Sequence, residues 1–243
     1  MKVIAVYNLK GGVGKTTLAV NLAWASATLS SRRTLLWDLD GQAAATYLLG
    51  GDARHGQEAQ SVFARDVAPD RIIRSTAFDR LDLLPADASL HQLDRFFFTL
   101  GKRKRLEKLL ERIGKDYDRI LLDCPPGLAD TSEQVLRAAD LIIVPVVPAP
   151  LSRRAFDEVV AFLDRHNVRR GAVLPVFNML DRRRTLHRTA AEQEPDWPII
   201  PMASAMEAMS ARREPIGGYA PASAAAQATA DLWRAIERRL TRG

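Results

Sequence analysis

Residues 8–17 read NLKGGVGKTT, and no other stretch limits the fold so sharply. The phosphate-loop pattern G-x-x-x-x-G-K-[ST] places its Gly-Lys-Thr on Gly14, Lys15 and Thr16. It also asks for glycine at position 9, where this chain has Leu9, followed by an additional lysine, Lys10. Before the loop, KVIAVYN is a short apolar run rich in β-branched residues and without helical period, as in a buried strand. After it, TTLAVNLAWASATL repeats Leu18, Leu22, Ala25 and Leu29 at three- and four-residue steps, as on one helix face. Strand, glycine-rich turn and helix together aim backbone N–H groups and a helix N-terminus at an anion. Gly11, Gly12 and Gly14 let the backbone wrap phosphates without Cβ clashes, and Val13 and Thr17 complete the nucleotide cradle. Lys15 is expected to reach the β- and γ-phosphates, and the Thr16 hydroxyl to ligate Mg2+.

Six further apolar runs read as strands: 34–40, 81–86, 117–126, 140–148, 171–180 and 199–204. Helical periods lie between most of them. Leu106, Leu109, Leu110 and Ile113 make one face; Phe156, Val159, Val160 and Leu163 make another. This alternation predicts an α/β fold, a mostly parallel twisted sheet with helices on both faces. The chain, with no linker or internal repeat, reads as one domain over 1–243, and the stretch from Gly50 to Arg80 as loops and short helices. Ligands of such sheets bind at the carboxyl ends of the strands, which gathers Asp40, Asp123 and Asn178 around the loop. Asp123 ends the apolar strand RILLD, the place of a carboxylate that holds Mg2+. Asp38 and Asp40, two residues apart, point the same way. One can sit beside the metal while the other reaches an attacking water; strand-end capping or turn formation is the alternative for Asp38.

Composition narrows the class. The 243 residues are 47% hydrophobic and 26% charged, as in an ordinary globular protein. A single cysteine, Cys124, excludes an intrachain disulfide framework and points to a reducing compartment. The opening strand shows no signal-peptide pattern, and the longest apolar run, LIIVPVVPAPL, is too short and proline-rich to span a bilayer; a cytoplasmic location is expected. A net charge of +6 suits a polyanionic partner, although an arginine-rich composition produces it without one.

KGGVGKTT, DLDGQAAAT and YDRILLDCPPGL resemble the deviant phosphate loop and the two switch regions of the ParA/MinD family of ATPases. The tail IIPMASAMEAMSARREPIGGYAPAS is similar to the family's tail. The resemblance implies that ATP and Mg2+ are the cofactors, and that ATP holds a face-to-face homodimer together. Lys10 would then cross the interface to the partner's nucleotide, Gly11 would occupy the seam, Asp40 would position the hydrolytic water, and Asn178 would read adenine. It implies ATP hydrolysis that drives partition or positioning of DNA or another large cargo, with a ParB-like or cargo adaptor stimulating turnover and nucleoid association through nonspecific DNA binding. Departures accompany it. The switch proline is Gly41, and the tail's two DNA-contacting arginines fall on Met202 and Met206. Basic residues remain at Arg182, Arg183, Arg184, Arg188, Arg212 and Arg213, and in KRKR (102–105), where charge in a helix's first turn would oppose the macrodipole. In the C-terminal helix Ala225, Leu232, Ile236 and Leu240 form a stripe, with Trp233 at its edge. That stripe suits packing on a core better than binding lipid, so a MinD-like membrane tail is not expected. The first strand begins at residue 2, so no N-terminal DNA-binding extension is expected. A metal-carrier ATPase is disfavoured, because a bridged cluster would need two cysteines from each subunit. A biosynthetic ligase on the same fold, such as dethiobiotin synthase or a cobyrinate enzyme, would lack the trans lysine that Lys10 supplies.

Overall fold

The structure, a computed structural model, describes residues 1–50, 59–64, 68–92, 105–127, 130–166 and 173–242. Its centre is strand β1 (Lys2–Val6), whose apolar residues alternate between two buried layers. Val3 and Ala5 enter one hydrophobic cluster, Ile4 and Val6 the other. Burial on both faces is why this strand reads as continuous hydrophobicity rather than alternation. The same division recurs in β5 (Arg119–Asp123) and β6 (Leu141–Val146), which flank β1 in parallel.

With β2 (Thr34–Asp38), β3 (Arg74–Ser75), β4 (Leu81–Leu84), β7 (Val173–Leu180) and β8 (Ile199–Pro201), these strands form one eight-stranded sheet. Its order is β3-β4-β2-β5-β1-β6-β7-β8. Every pairing is parallel except β3 with β4. The antiparallel edge strand β3 lies in the stretch expected to hold only loops and short helices. Two residues carry no period from which to read a strand; the pairing of Arg74 with Leu83 defines it.

One face of the sheet is covered by α1 (Lys15–Leu29), α8 (Ser204–Arg212), α9 (Ile216–Tyr219) and α10 (Ala224–Arg242). On the other lie α3 (Ala59–Ala64), α4 (Arg105–Ile113), α5 (Asp130–Ala138) and α6 (Pro150–Arg165). The short α2 (Ala44–Leu48) follows β2, and α7 (Thr185–Gln193) joins β7 to β8. Helix α1 is wedged between the sheet and α10 and is buried on nearly all sides, not along one stripe. Leu29, expected on the buried face, is instead 42% exposed at its last turn. Trp233 is fully buried, not at the edge of the α10 stripe, and its Nε1 donates to Ser30 Oγ at 2.8 Å. At the opposite end of the strands from the phosphate loop, Glu237 of α10 accepts from both Arg32 and Arg119. The basic run 102–105 lies outside the described residues, apart from the backbone of Arg105.

Candidate nucleotide-binding site

Strand register assembles the site. Asp38 pairs with Asp123, and Asp123 with Val6, so the ends of β2, β5 and β1 stand side by side where the loop begins. The loop is fastened before any ligand arrives. Asn8, fully buried, accepts from the Lys10 N–H through Oδ1 and donates through Nδ2 to the Pro145 carbonyl at the end of β6. On the other side the Gly127 N–H donates to the Leu9 carbonyl at 3.1 Å, tying the turn after β5 to the loop. Nothing in the sequence pattern singled out Asn8; a buried amide closing a strand was the available signal.

Gly12 and Gly14 adopt left-handed conformations (φ 73 and 83) that favour glycine. Gly14 opens α1, beside Asn178. Within β7, the left-handed Met179 (φ 57) coincides with a shift in pairing to β8 between Phe177 and Leu180. Asn178 is buried and donates to the Val13 carbonyl at 2.8 Å. A Cβ on Gly14 would lie 2.3 Å from that amide nitrogen. Asn178 therefore lies within the seventh strand, two residues before its end, and its NH2 group holds the loop.

Three carboxylates differ in what they can do. Asp123 is fully buried, and neither of its oxygens has a hydrogen-bond partner. Burial pushes its pKa well above the usual carboxylate range, and the nearby Asp38 adds to this; Thr16 and Lys15 oppose it. A buried carboxylate without a partner is costly, and it is the donor a divalent cation takes up. Asp38 is also fully buried but satisfied. Its Oδ2 accepts from the Thr46 N–H at 2.9 Å and the Thr46 hydroxyl at 2.8 Å, and its Oδ1 from the Asp40 N–H. Burial nonetheless raises its pKa to about 6, with the Thr46 hydrogen bonds working against the shift. Its contacts make Asp38 the anchor of the segment after β2. Asp40 is half-exposed, and its Oδ1 accepts from the Gln42 N–H at 3.0 Å.

The two lysines are differently placed. Lys15 is buried, with Nζ donating to the Lys10 carbonyl at 2.8 Å. Burial lowers its pKa, while Asp123, Cys124 and Asp40 pull it back up. The Lys10 ammonium has no hydrogen-bond or ion-pair partner among the described residues, and the neighbouring Gly11 and Gly12 are exposed. Thr16 and Thr17, in the first turn of α1, are half-buried. The Thr16 hydroxyl and the unpartnered Asp123 carboxylate are groups that could hold Mg2+. Among the described residues no three His, Cys, Asp or Glu side chains form a metal cage. Cys124 is buried against the same strand end, and its thiol is pushed well up by burial.

The candidate DNA arginines are not equivalent. Arg183 pairs with Asp181, holding that carboxyl down at about 2. The guanidinium groups of Arg212 and Arg213 lie over the rings of Tyr219 and Tyr47, at 4.9 and 4.8 Å. Met202 is 48% exposed, whereas Met206 turns its sulfur toward Asn21.

A family model described as an AAA domain matches residues 1–170. The chain is 36% identical over 147 residues to the sporulation initiation inhibitor protein Soj of Bacillus subtilis, a match spanning 60% of this chain and 58% of Soj. It is 27% identical over 190 residues to the virulence plasmid ParA family protein pGP5-D of Chlamydia psittaci, covering 78% of this chain and 73% of that one. Among solved structures, the cell division ATPase MinD of Pyrococcus furiosus superposes with a TM-score of 0.80 at 26% identity, over 98% of both chains. Cobyrinic acid a,c-diamide synthase of Mycobacterium smegmatis, solved with bound ADP and magnesium, gives 0.82 at 26% identity over 99% of this chain and 96% of that one.

Proposed function

Because the chain belongs to the ParA/MinD family of P-loop ATPases, we propose that it is a Mg2+-dependent ATPase. It closes into an ATP-sandwich dimer to partition or position DNA or another large cargo. The observation that carries this reading is that, among the described residues, the fully buried Asp123 carboxylate has no hydrogen-bond partner and the Lys10 ammonium, beside exposed glycines, has no partner either. The first wants a cation and the second an anion that none of the described residues provides.

Bound Mg2+ would neutralise charge on the β- and γ-phosphates, held on the protein side by Thr16 and Asp123. Lys15 exchanges the Lys10 carbonyl for phosphate oxygens, and backbone N–H groups of Gly11 to Thr17 take the remainder. Asp40, held beside Asp38, orients the attacking water. Asn178 keeps the loop in place through Val13 and has its carbonyl oxygen left for the adenine amino group. Lys10 of each subunit completes the partner's site, so dimer formation and turnover depend on one another.

A membrane-bound mode is less well supported. The apolar stripe of α10 is spent against α1, with Ala225, Leu232 and Ile236 at most 3% exposed, and no helix among the described residues is long and apolar enough to cross a membrane. The likeness to the cobyrinate enzyme favours a second reading, a biosynthetic ATPase. Product analysis separates the two: partitioning predicts ATP turnover without any added metabolite, stimulated by DNA or an adaptor protein.

The deciding experiment is sizing by light scattering with and without ATP. Asp40→Ala should bind ATP, fail to hydrolyse it and accumulate as a dimer, while Lys10→Ala stays monomeric. Lys15→Ala should lose nucleotide binding altogether. A dimer in Lys10→Ala equal to that of the unmodified chain would refute the sandwich.

A further inference from the structure

Helix α2 is five residues long, too short to persist by itself, and it begins where the Asp40 turn ends. The Ala43 N–H donates to the Asp40 carbonyl at 2.8 Å, and Ala43 is left-handed (φ 54) at the helix start. Movement of α2 therefore moves Asp40. Beyond the core packing of Ala45 and Leu48, side-chain hydrogen bonds hold the helix at two points. On the inside Thr46 grips Asp38, and its hydroxyl also accepts from the Ala86 N–H at 2.9 Å. On the outside Arg213 Nε donates to the Tyr47 carbonyl at 2.9 Å, with the guanidinium lying on the Tyr47 ring.

Three features mark the outer contact as built for that purpose. Arg213 sits at the C-terminus of α8 in a left-handed conformation (φ 53), where glycine is the ordinary occupant. Its guanidinium forms no ion pair among the described residues, so its charge is directed at the C-terminal carbonyl of α2, the end of a helix that favours a cation. Its planar fork matches ring and carbonyl together, which an ammonium cannot do. We propose that Arg213 is a positioning residue for ATP hydrolysis, acting through Tyr47 and α2 on the turn that carries Asp40. The proposal rests on the reading of Asp40 as the residue that orients the water.

The test compares Arg213→Ala, Arg213→Lys and Tyr47→Phe with the unmodified protein in ATP turnover, ATP affinity and amide hydrogen exchange. Arg213→Ala should lower kcat about tenfold, the scale of a small misplacement of a catalytic group, with ATP affinity unchanged. Exchange should quicken over residues 40–49 and nowhere else. Arg213→Lys should recover part of the rate, and Tyr47→Phe, which keeps ring and carbonyl, all of it. Unchanged exchange, unchanged kcat, or a loss of protection throughout the molecule would each overturn the proposal. If Asp40→Ala hydrolyses ATP at the normal rate, the reading of Asp40 fails. If Asp40→Ala is inactive and Arg213→Ala is normal, the clasp alone fails.

Discussion

At the scale of the residue, burial and the neighbouring Asp38 raise the pKa of Asp123 well above the usual carboxylate range, with Thr16 and Lys15 opposing the shift. Its folded-state pKa is raised, so its contribution to stability is fully present below the ordinary carboxylate range and is lost as pH rises through the folded value. Asp38, raised to about 6, follows the same sign. Mg2+ and nucleotide need the carboxylate form of Asp123, so their binding should release protons, and affinity should climb as pH rises through its raised folded-state pKa. Calorimetry near pH 6 in two buffers of different ionisation enthalpy would show unequal heats; equal heats would contradict the linkage. Asp123→Asn, which removes the buried charge, should stabilise the empty protein at pH 8 while abolishing Mg2+-dependent turnover. A denaturant melt and a phosphate-release assay read the two effects. Asp123 was legible in the sequence because it is a charge closing an apolar strand, as Asp38 is. The bonding of Asp38 was not, since Thr46 lies eight residues on and meets it only after the chain has turned through a left-handed Ala43.

At the scale of the element, the phosphate loop separates glycines that the fold needs from those that something outside the chain needs. A Cβ on Gly11 meets nothing within 4 Å, whereas one on Gly14 strikes the Asn178 amide at a position with φ 83. Gly11→Ala should therefore keep its thermal stability and ATP binding and lose the dimer. Gly14→Ala should release Asn178 from Val13 and lose nucleotide binding. Sizing and equilibrium binding distinguish them, and a stable Gly11→Ala dimer would remove the seam assignment. Helix α10 makes a different point. Truncating Trp233 to Ala should cost about 3–5 kcal/mol, as for large buried aromatics, measurable by urea unfolding. The periodicity of α10 located its buried stripe but set Trp233 at the rim; only α1 packing alongside, with Ser30 meeting the indole, puts it at the centre. Strands such as β1 and β5 announce themselves because both their faces are buried. The two residues of β3 have no such signal, and their place is settled by a neighbour.

At the scale of the whole molecule, the net charge of +6 has to be divided among arginines with different duties. Arg212 and Arg213 are engaged with aromatic rings, and Arg119 and Arg32 with Glu237. Arg182, Arg184 and Arg188 cluster at the start of α7 as a candidate polyanion contact, with Arg184 also 3.7 Å from Asp181 and Arg188 donating to the Arg182 carbonyl. Duplex binding should require ATP, ignore sequence and weaken steeply with salt as counterions are released. Changing those three to Glu should abolish retention in a mobility-shift assay without disturbing the ATP-dependent dimer. Retention by the triple variant equal to that of the parent would place the contact elsewhere. The thiol beside the phosphate loop bears on how such assemblies can be watched. Cys124 is the sole cysteine of the sequence, 1% exposed, with its pKa driven up by burial. It should be inert to maleimides while the fold is intact. A cysteine introduced on the surface would then take a fluorophore or spin label alone, so the closing of two copies can be followed by spectroscopic distances in an otherwise unmodified chain.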